Sequence, residues 1–147
     1  MGLVLTDLAR QLILEGSLNL KTAVLKYILL DTTYVFSKDH EYADDVDAKE
    51  VAGTGYTGGF GGSGRKEVGT RTSGHNGTSH KAWLDADDKT WTGLDVGTIG
   101  SVGVICETGA SSDADTLFIG AQDITDKATN GSDWKFEVHA DGLFTLA

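Results

Sequence analysis

A mainly β architecture, an antiparallel β-sandwich (jelly-roll-like or Ig-like) with one short N-terminal helix, is predicted by three features of the sequence. Apolar stretches of strand length recur at regular intervals, separated by glycine, aspartate and asparagine turns. The 147 residues include 20 glycines and no proline. Glycine supplies positive-φ turn positions, whereas proline would remove donors from a sheet. Near the C-terminal end, Trp134, Phe136 and Val138 alternate with Lys135, Glu137 and His139, giving one buried face and one wet face. The length fits a single domain, 1–147. Within it, a helix and arm (1–16) lead into a sandwich (17–147) that carries a glycine-rich loop around 52–80.

The helix is read from "LTDLARQLILEGS", where Leu5, Leu8, Ala9, Leu12 and Ile13 form one stripe at helical spacing. Thr6 caps its N-terminus, Asp7 complements the helix dipole, and Gly16 stops it. So short a helix is marginal alone, and its stripe must pack on this domain's core or on a partner. "TAVLKYILL" is apolar on both alternating faces apart from Lys26, which predicts a central strand covered on both sides. An acidic excursion, "TYVFSKDHEYADDVDAKEV", follows, with a helical turn near Asp44 to Ala48.

"VAGTGYTGGFGGSGR" contains a literal G-x-G-x-x-G at Gly53, Gly55 and Gly58. A dinucleotide site needs a buried strand before this pattern and a helix after it. Acidic sequence precedes it and four more glycines, Gly59, Gly61, Gly62 and Gly64, follow at once, so a turn opening a flexible loop is expected. "RKEVGTRT" is a weak strand. "KAWLD" and "KTWTG" read as a hairpin turning at Asp87 and Asp88. "TIGSVGVICE" is a strand whose glycines imply close backbone approach or a bulge, and "DTLFIGAQDI" is another. Asp141-Gly142 predicts a closing hairpin between "DWKFEV" and Leu143 to Leu146.

Charge narrows the partners. Twenty-two acidic against twelve basic side chains give −10, unsuited to general nucleic-acid or anionic-membrane binding. No apolar stretch reaches membrane-spanning length and no basic segment precedes the first apolar residues, so a soluble protein is expected. The lone Cys106 lies in an apolar run and reads as a packing residue. His75 and His80 lack a third ligand at motif spacing, so no metal is assigned. "DADD" (85–88) and "SSDADT" (111–116) match calcium loops only in part and read as charged turns. Ser63 in "GGSGR" lacks the strand and helix of a nucleophile elbow. Asn76-Gly-Thr78 and Asn130-Gly-Ser132 read first as turns. No catalytic residue and no cofactor is assigned.

One charge contrast remains. Arg65, Lys66, Arg71 and Lys81, with His75 and His80, form a basic segment in an acidic chain. Charge runs ordinarily lie on solvated faces. The functional expectation is a flexible segment that orders against an acidic protein surface.

In succession, "EGSLNL", "KTAVLKYILLDTTYVF", "KDHEYADDV", "EVAGTGYTGG", "WLDADDKTWT", "GSVGVICE", "LFIGAQDI" and "FEVHADGLFTL" resemble a family of small structural proteins of tailed bacteriophages. The His40 region and Glu50 to Gly59 carry the most distinctive parts. "GFGGSGRKEVGTRTSGHNGTSH" departs from it, being richer in glycine than the strand expected there. The resemblance implies a non-enzymatic virion protein, a capsid decoration (cement) protein that stabilises the outer surface of the head. It implies the major capsid protein as partner, a homo-oligomer (dimer or trimer), and a place on the phage particle after synthesis in the bacterial cytoplasm. No nucleic-acid or membrane partner is implied. The candidate partner contacts are Leu5, Leu8, Leu12, Arg65, Lys66, Arg71, His75 and His80. The alternatives are a tail or head-fibre structural protein and, further off, a carbohydrate-binding sandwich using Trp83 or Trp91 as a stacking platform.

Overall fold

A computed structural model describes residues 2–146; Met1 and Ala147, the ends of the predicted domain, lie outside them. The elements are β1 (Val4–Leu5), α1 (Asp7–Leu14), β2 (Leu25–Asp31), β3 (Arg71–Asn76), β4 (Lys81–Ala86), β5 (Lys89–Leu94), β6 (Thr98–Cys106), β7 (Leu117–Ala128), β8 (Ser132–Phe136) and β9 (Phe144–Leu146). They form a mainly β protein with antiparallel sheets and one α-helix. One sheet has the order β1-β7-β6-β2, a second β3-β4-β9, and a third β5-β8. Among the described residues one parallel bridge, from Leu3 just before β1 to Phe144 of β9, links the first two sheets. Among the described residues no helix is long and apolar enough to cross a membrane.

Alternation along β2 explains why it is apolar on both faces. Leu25, Tyr27 and Leu29 enter the larger core with Val102, Val104, Ile119, Leu84, Trp91, Leu94, Phe136 and Phe144. Ile28 and Leu30 face the other way, onto Ile105 and Phe118. The acidic excursion roofs that second face. Its Tyr34, Ala43 and Val46 pack down, and two 3-10 turns, Ala43–Asp45 and Asp47–Lys49, lie at the predicted helical turn.

The helix has its predicted cap and stop. Ala9 N donates to Thr6 Oγ1 at 3.3 Å, and Gly16 adopts φ +74° after the last turn. Leu5 is not part of it. The cap places Leu5 before the helix, in β1 opposite Gly120, where it is 3% exposed. Of the remaining stripe, Ala9 is fully buried and Leu8 and Leu12 are half-buried. The helix packs beside β7, so much of its stripe serves this chain's own core.

Both predicted hairpins are replaced by other pairings. β4 pairs with β3 and β9, and β5 pairs with β8. The two aspartates between β4 and β5 are pulled apart: Thr70 N donates to Asp87 at 3.2 Å, while Val138 N donates to Asp88 at 2.9 Å. The chain therefore leaves one sheet and enters another. At the C-terminal end the turn itself forms, with Gly142 at φ +101° and its N–H on the His139 carbonyl at 2.8 Å. Leu143 N then donates to Leu84 O at 2.7 Å, which commits the return strand to β4 instead of β8. The weak strand "RKEV" runs beside β2, with Tyr27 N on Lys66 O at 2.8 Å and Val68 N on Leu25 O at 2.9 Å, and β3 begins only at Arg71.

The glycines of β6 and β7 admit close approach. A Cβ on Gly103 would lie 2.8 Å from Ile28 Cγ2, and one on Gly120 would collide with the Val4 carbonyl oxygen. Gly120→Ala is expected to cost about 1–3 kcal/mol by overpacking the β1–β7 contact. Gly77→Ala, at a hairpin tip with open space around it, is expected to stay within about 0.5 kcal/mol. Urea midpoints of the two variants check the contrast.

Candidate docking surface

The glycine-rich segment is anchored, because Arg65 is a buried linchpin. It is 3% exposed. Its Nε and one terminal nitrogen donate to the two Glu50 oxygens at 2.8 and 2.7 Å, and that terminal nitrogen also reaches Asp113 Oδ2 at 3.1 Å. The planar fork of guanidinium suits this double carboxylate grip. Glu50 further accepts from Tyr56 Oη at 2.7 Å and Gly59 N at 2.9 Å. Tyr56 Oη in turn accepts the Leu29 amide at 3.1 Å. Asp113 is presented by a 3-10 turn whose Asp115 accepts the N–H groups of Ser112 and Ser111, which hold the Asp115 carboxyl down at about 2.

The Gly53–Gly58 pattern is a turn at the mouth of this segment. Gly53 N and Tyr56 N donate across it to Tyr56 O and Gly53 O, and Gly55 adopts φ +79°. Its back lies against the chain after β5, with Asp95 N on Thr54 O at 2.9 Å. Residues 50–68 thereby line the outer edge of β2, where Val51 N also donates to Leu29 O at 3.0 Å. This cover protects an edge strand that would otherwise present unpaired backbone.

Arg65 is therefore withdrawn as a partner contact: its charge is spent on Glu50 and Asp113. Lys66 is half-buried along β2. Arg71 is also half-buried and donates to the Leu20 carbonyl at 2.9 Å, tying the hairpin to the chain after the helix. His75 and His80 stand exposed on the β3–β4 hairpin with Lys81. His80 has φ +53°, and Asn76 Oδ1 closes the tip by accepting from Thr78 N and Ser79 N. From Val68 to Leu84 there is no acidic residue. What remains of the predicted basic segment is thus an ordered hairpin arm. Among the described residues no group of three His, Cys, Asp or Glu side chains could hold a metal ion.

Between the inner face of this arm and the helix lies an apolar groove of 360 Å³. It is lined by Leu5, Ile13, Leu18, Trp83, Leu84 and Phe144, with Leu146, 45% exposed, at its mouth. Leu14, at 88% the most exposed large apolar side chain among the described residues, stands at the end of the helix. The helical stripe did not include Leu14, because its position falls on the polar side. The groove was not readable from sequence, since it joins residues from both chain ends with a hairpin in the middle.

The tryptophans divide. Trp91 is fully buried, stacks on Trp134 at 5.4 Å and donates from Nε1 to the Gly64 carbonyl at 2.7 Å. It cannot act as a stacking platform for a ligand. Trp83 is half-buried, on the outward face of the hairpin. Cys106 is buried, as expected of a packing residue.

Burial pushes the phenols of Tyr27, Tyr34 and Tyr56 above the ordinary tyrosine range; the nearby Asp88 charge adds to this for Tyr27 and that of Glu50 for Tyr56. The folded state favours the neutral phenol. Its contribution is intact below the unfolded value of about 10 and is lost as pH rises beyond it. Alkaline titration followed by phenolate absorbance is expected to show these tyrosines ionising together with loss of near-UV circular dichroism. Smooth ionisation of all tyrosines in a folded protein would contradict it.

No family model, no curated protein and no solved structure matches the chain.

Proposed function

We propose that this chain is a non-enzymatic structural protein of a tailed-bacteriophage particle, a decoration (cement) protein bound to the major capsid protein on the outside of the head. The apolar groove beside the basic hairpin carries the proposal. A docking site of this shape takes an apolar element from a neighbour, and the cationic arm next to it steers an acidic partner surface. The ordered order of sequence segments that resembles phage structural proteins supports the same class. Many copies of a rigid module on a repeating lattice reinforce one another through multivalency, and self-association into dimers or trimers would let one cluster span capsid subunits.

Electron microscopy of particles carrying tagged copies tests the location. Copies spread over the shell support decoration, whereas a few at one vertex or along the tail favour the fibre alternative. Leu146→Asp, at the mouth of the groove, is expected to reduce occupancy on the particle at unchanged melting temperature. Undiminished occupancy removes the groove from the interface.

A further inference from the structure

The outward face of the β3-β4-β9 sheet holds a second depression of different chemistry. Alternate residues of a strand share a face, so Lys81, Trp83 and Asp85 stand together on β4. Thr145 of β9 lies directly opposite Trp83, and Gly74 of β3 pairs with it on the other side. The indole lies across that glycine. A Cβ at position 74 would come within 2.5 Å of Cζ2 and 2.9 Å of Cε2 of Trp83. Glycine thus lets the ring settle onto the sheet, and any larger residue would lift it.

The turn at 139–142, with the exposed Asp141, and the hairpin tip at Asn76 border the same depression. Together they enclose a cleft of 240 Å³ lined by Trp83, Asn76, Lys81, Asp85, Asp141 and Thr145. We propose that this cleft binds one neutral pyranose unit of a glycan, with Trp83 as its floor.

Three features point to that ligand. The face of an indole carries negative quadrupole density, which attracts the polarised C–H groups on the apolar side of a sugar ring. Hydroxyl groups both donate and accept, and the rim offers both partners. The Asn76 carbonyl is occupied by Thr78 N and Ser79 N, which leaves its amide nitrogen as a donor. Lys81 donates, Asp85 and Asp141 accept, and Thr145 does either. The third feature is charge. One ammonium against two carboxylates, on a chain of −10, disfavours phosphate, nucleotide or sialic acid, and a neutral ring meets no such opposition. Trp83 also lines the groove on the inner face of the hairpin, whereas Asp141 lines only this cleft and Leu146 only the groove, so Asp141→Ala and Leu146→Asp separate loss of sugar binding from loss of particle attachment.

The test is an NMR titration of isotope-labelled protein with maltotetraose, chitotetraose and galactotetraose, with sialyllactose and AMP as anionic probes. The Trp83 indole N–H resonance, assigned with Trp83→Phe, is expected to shift with at least one neutral probe at millimolar concentration. Trp83→Ala is expected to weaken that binding by about tenfold or more, on the scale of one lost stacking contact. Asp141→Ala, on an exposed turn that leaves the core untouched, is expected to weaken it while the melting temperature stays constant. No shift with any neutral probe, tighter binding of an anionic probe, or equal affinity in both variants would overturn the proposal.

Discussion

Arg65→Ala is expected to destabilise the protein by about 3–5 kcal/mol, the cost of removing one member of a buried charge cluster. In a chain of this size that lowers the melting temperature by roughly 10 °C. Glu50, whose side chain is 5% exposed, and the half-buried Asp113 would lose their shared cation. Glu50 would keep only Tyr56 Oη and Gly59 N. Arg65→Lys should recover part of the loss, because an ammonium matches the charge but cannot grip both carboxylates in a plane. A triple variant, Arg65→Met with Glu50→Gln and Asp113→Asn, should be more stable than Arg65→Ala alone, since it leaves no unpaired charge. Thermal and urea unfolding measure all three. A wild-type melting temperature in Arg65→Ala would show that the cluster contributes nothing.

The second large effect is expected at Trp91. Trp91→Ala should cost about 3–5 kcal/mol for the cavity it opens. The loss falls where Tyr27 meets the indole edge-on at 6.2 Å and Trp134 stacks on it. Trp91→Phe separates packing from hydrogen bonding. It keeps most of the ring but orphans the buried Gly64 carbonyl, at a cost of about 1–3 kcal/mol. Both Trp91 and Arg65 hold the glycine-rich segment, one from β5 and one from within, so the double variant should fall short of additivity. Urea denaturation of the single and double variants provides the cycle.

The contrast between these sites and the helix shows what could be read from sequence. Thr6, Asp7 and Gly16 act on neighbours a few residues away, and the helix ends where they predict. β2 was readable as doubly covered because its own residues report both faces. The choice of partner strand was not readable. Asp87-Asp88 and Asp141-Gly142 do make reversals, yet distant groups, Thr70, Val138 and Leu84, decide where the chain goes next. Arg65 failed for the same reason. In sequence it sits among glycines and other cations, whereas its second carboxylate lies 48 residues further on. Of the candidate contacts, His75 and His80 are exposed, while Leu5 and Arg65 are drawn inside by partners from the opposite end of the chain or from the β6–β7 connection.

The seal along β2 has a consequence for biosynthesis. Its clasp is completed by Asp113, so the full seal closes only after the arch between β6 and β7 has emerged from the ribosome. Until then a long apolar ribbon is available to neighbouring nascent chains, and closure over so wide a sequence separation is slow. Expression at high temperature should therefore favour inclusion bodies through the newborn chain, even where the finished protein withstands the same heat.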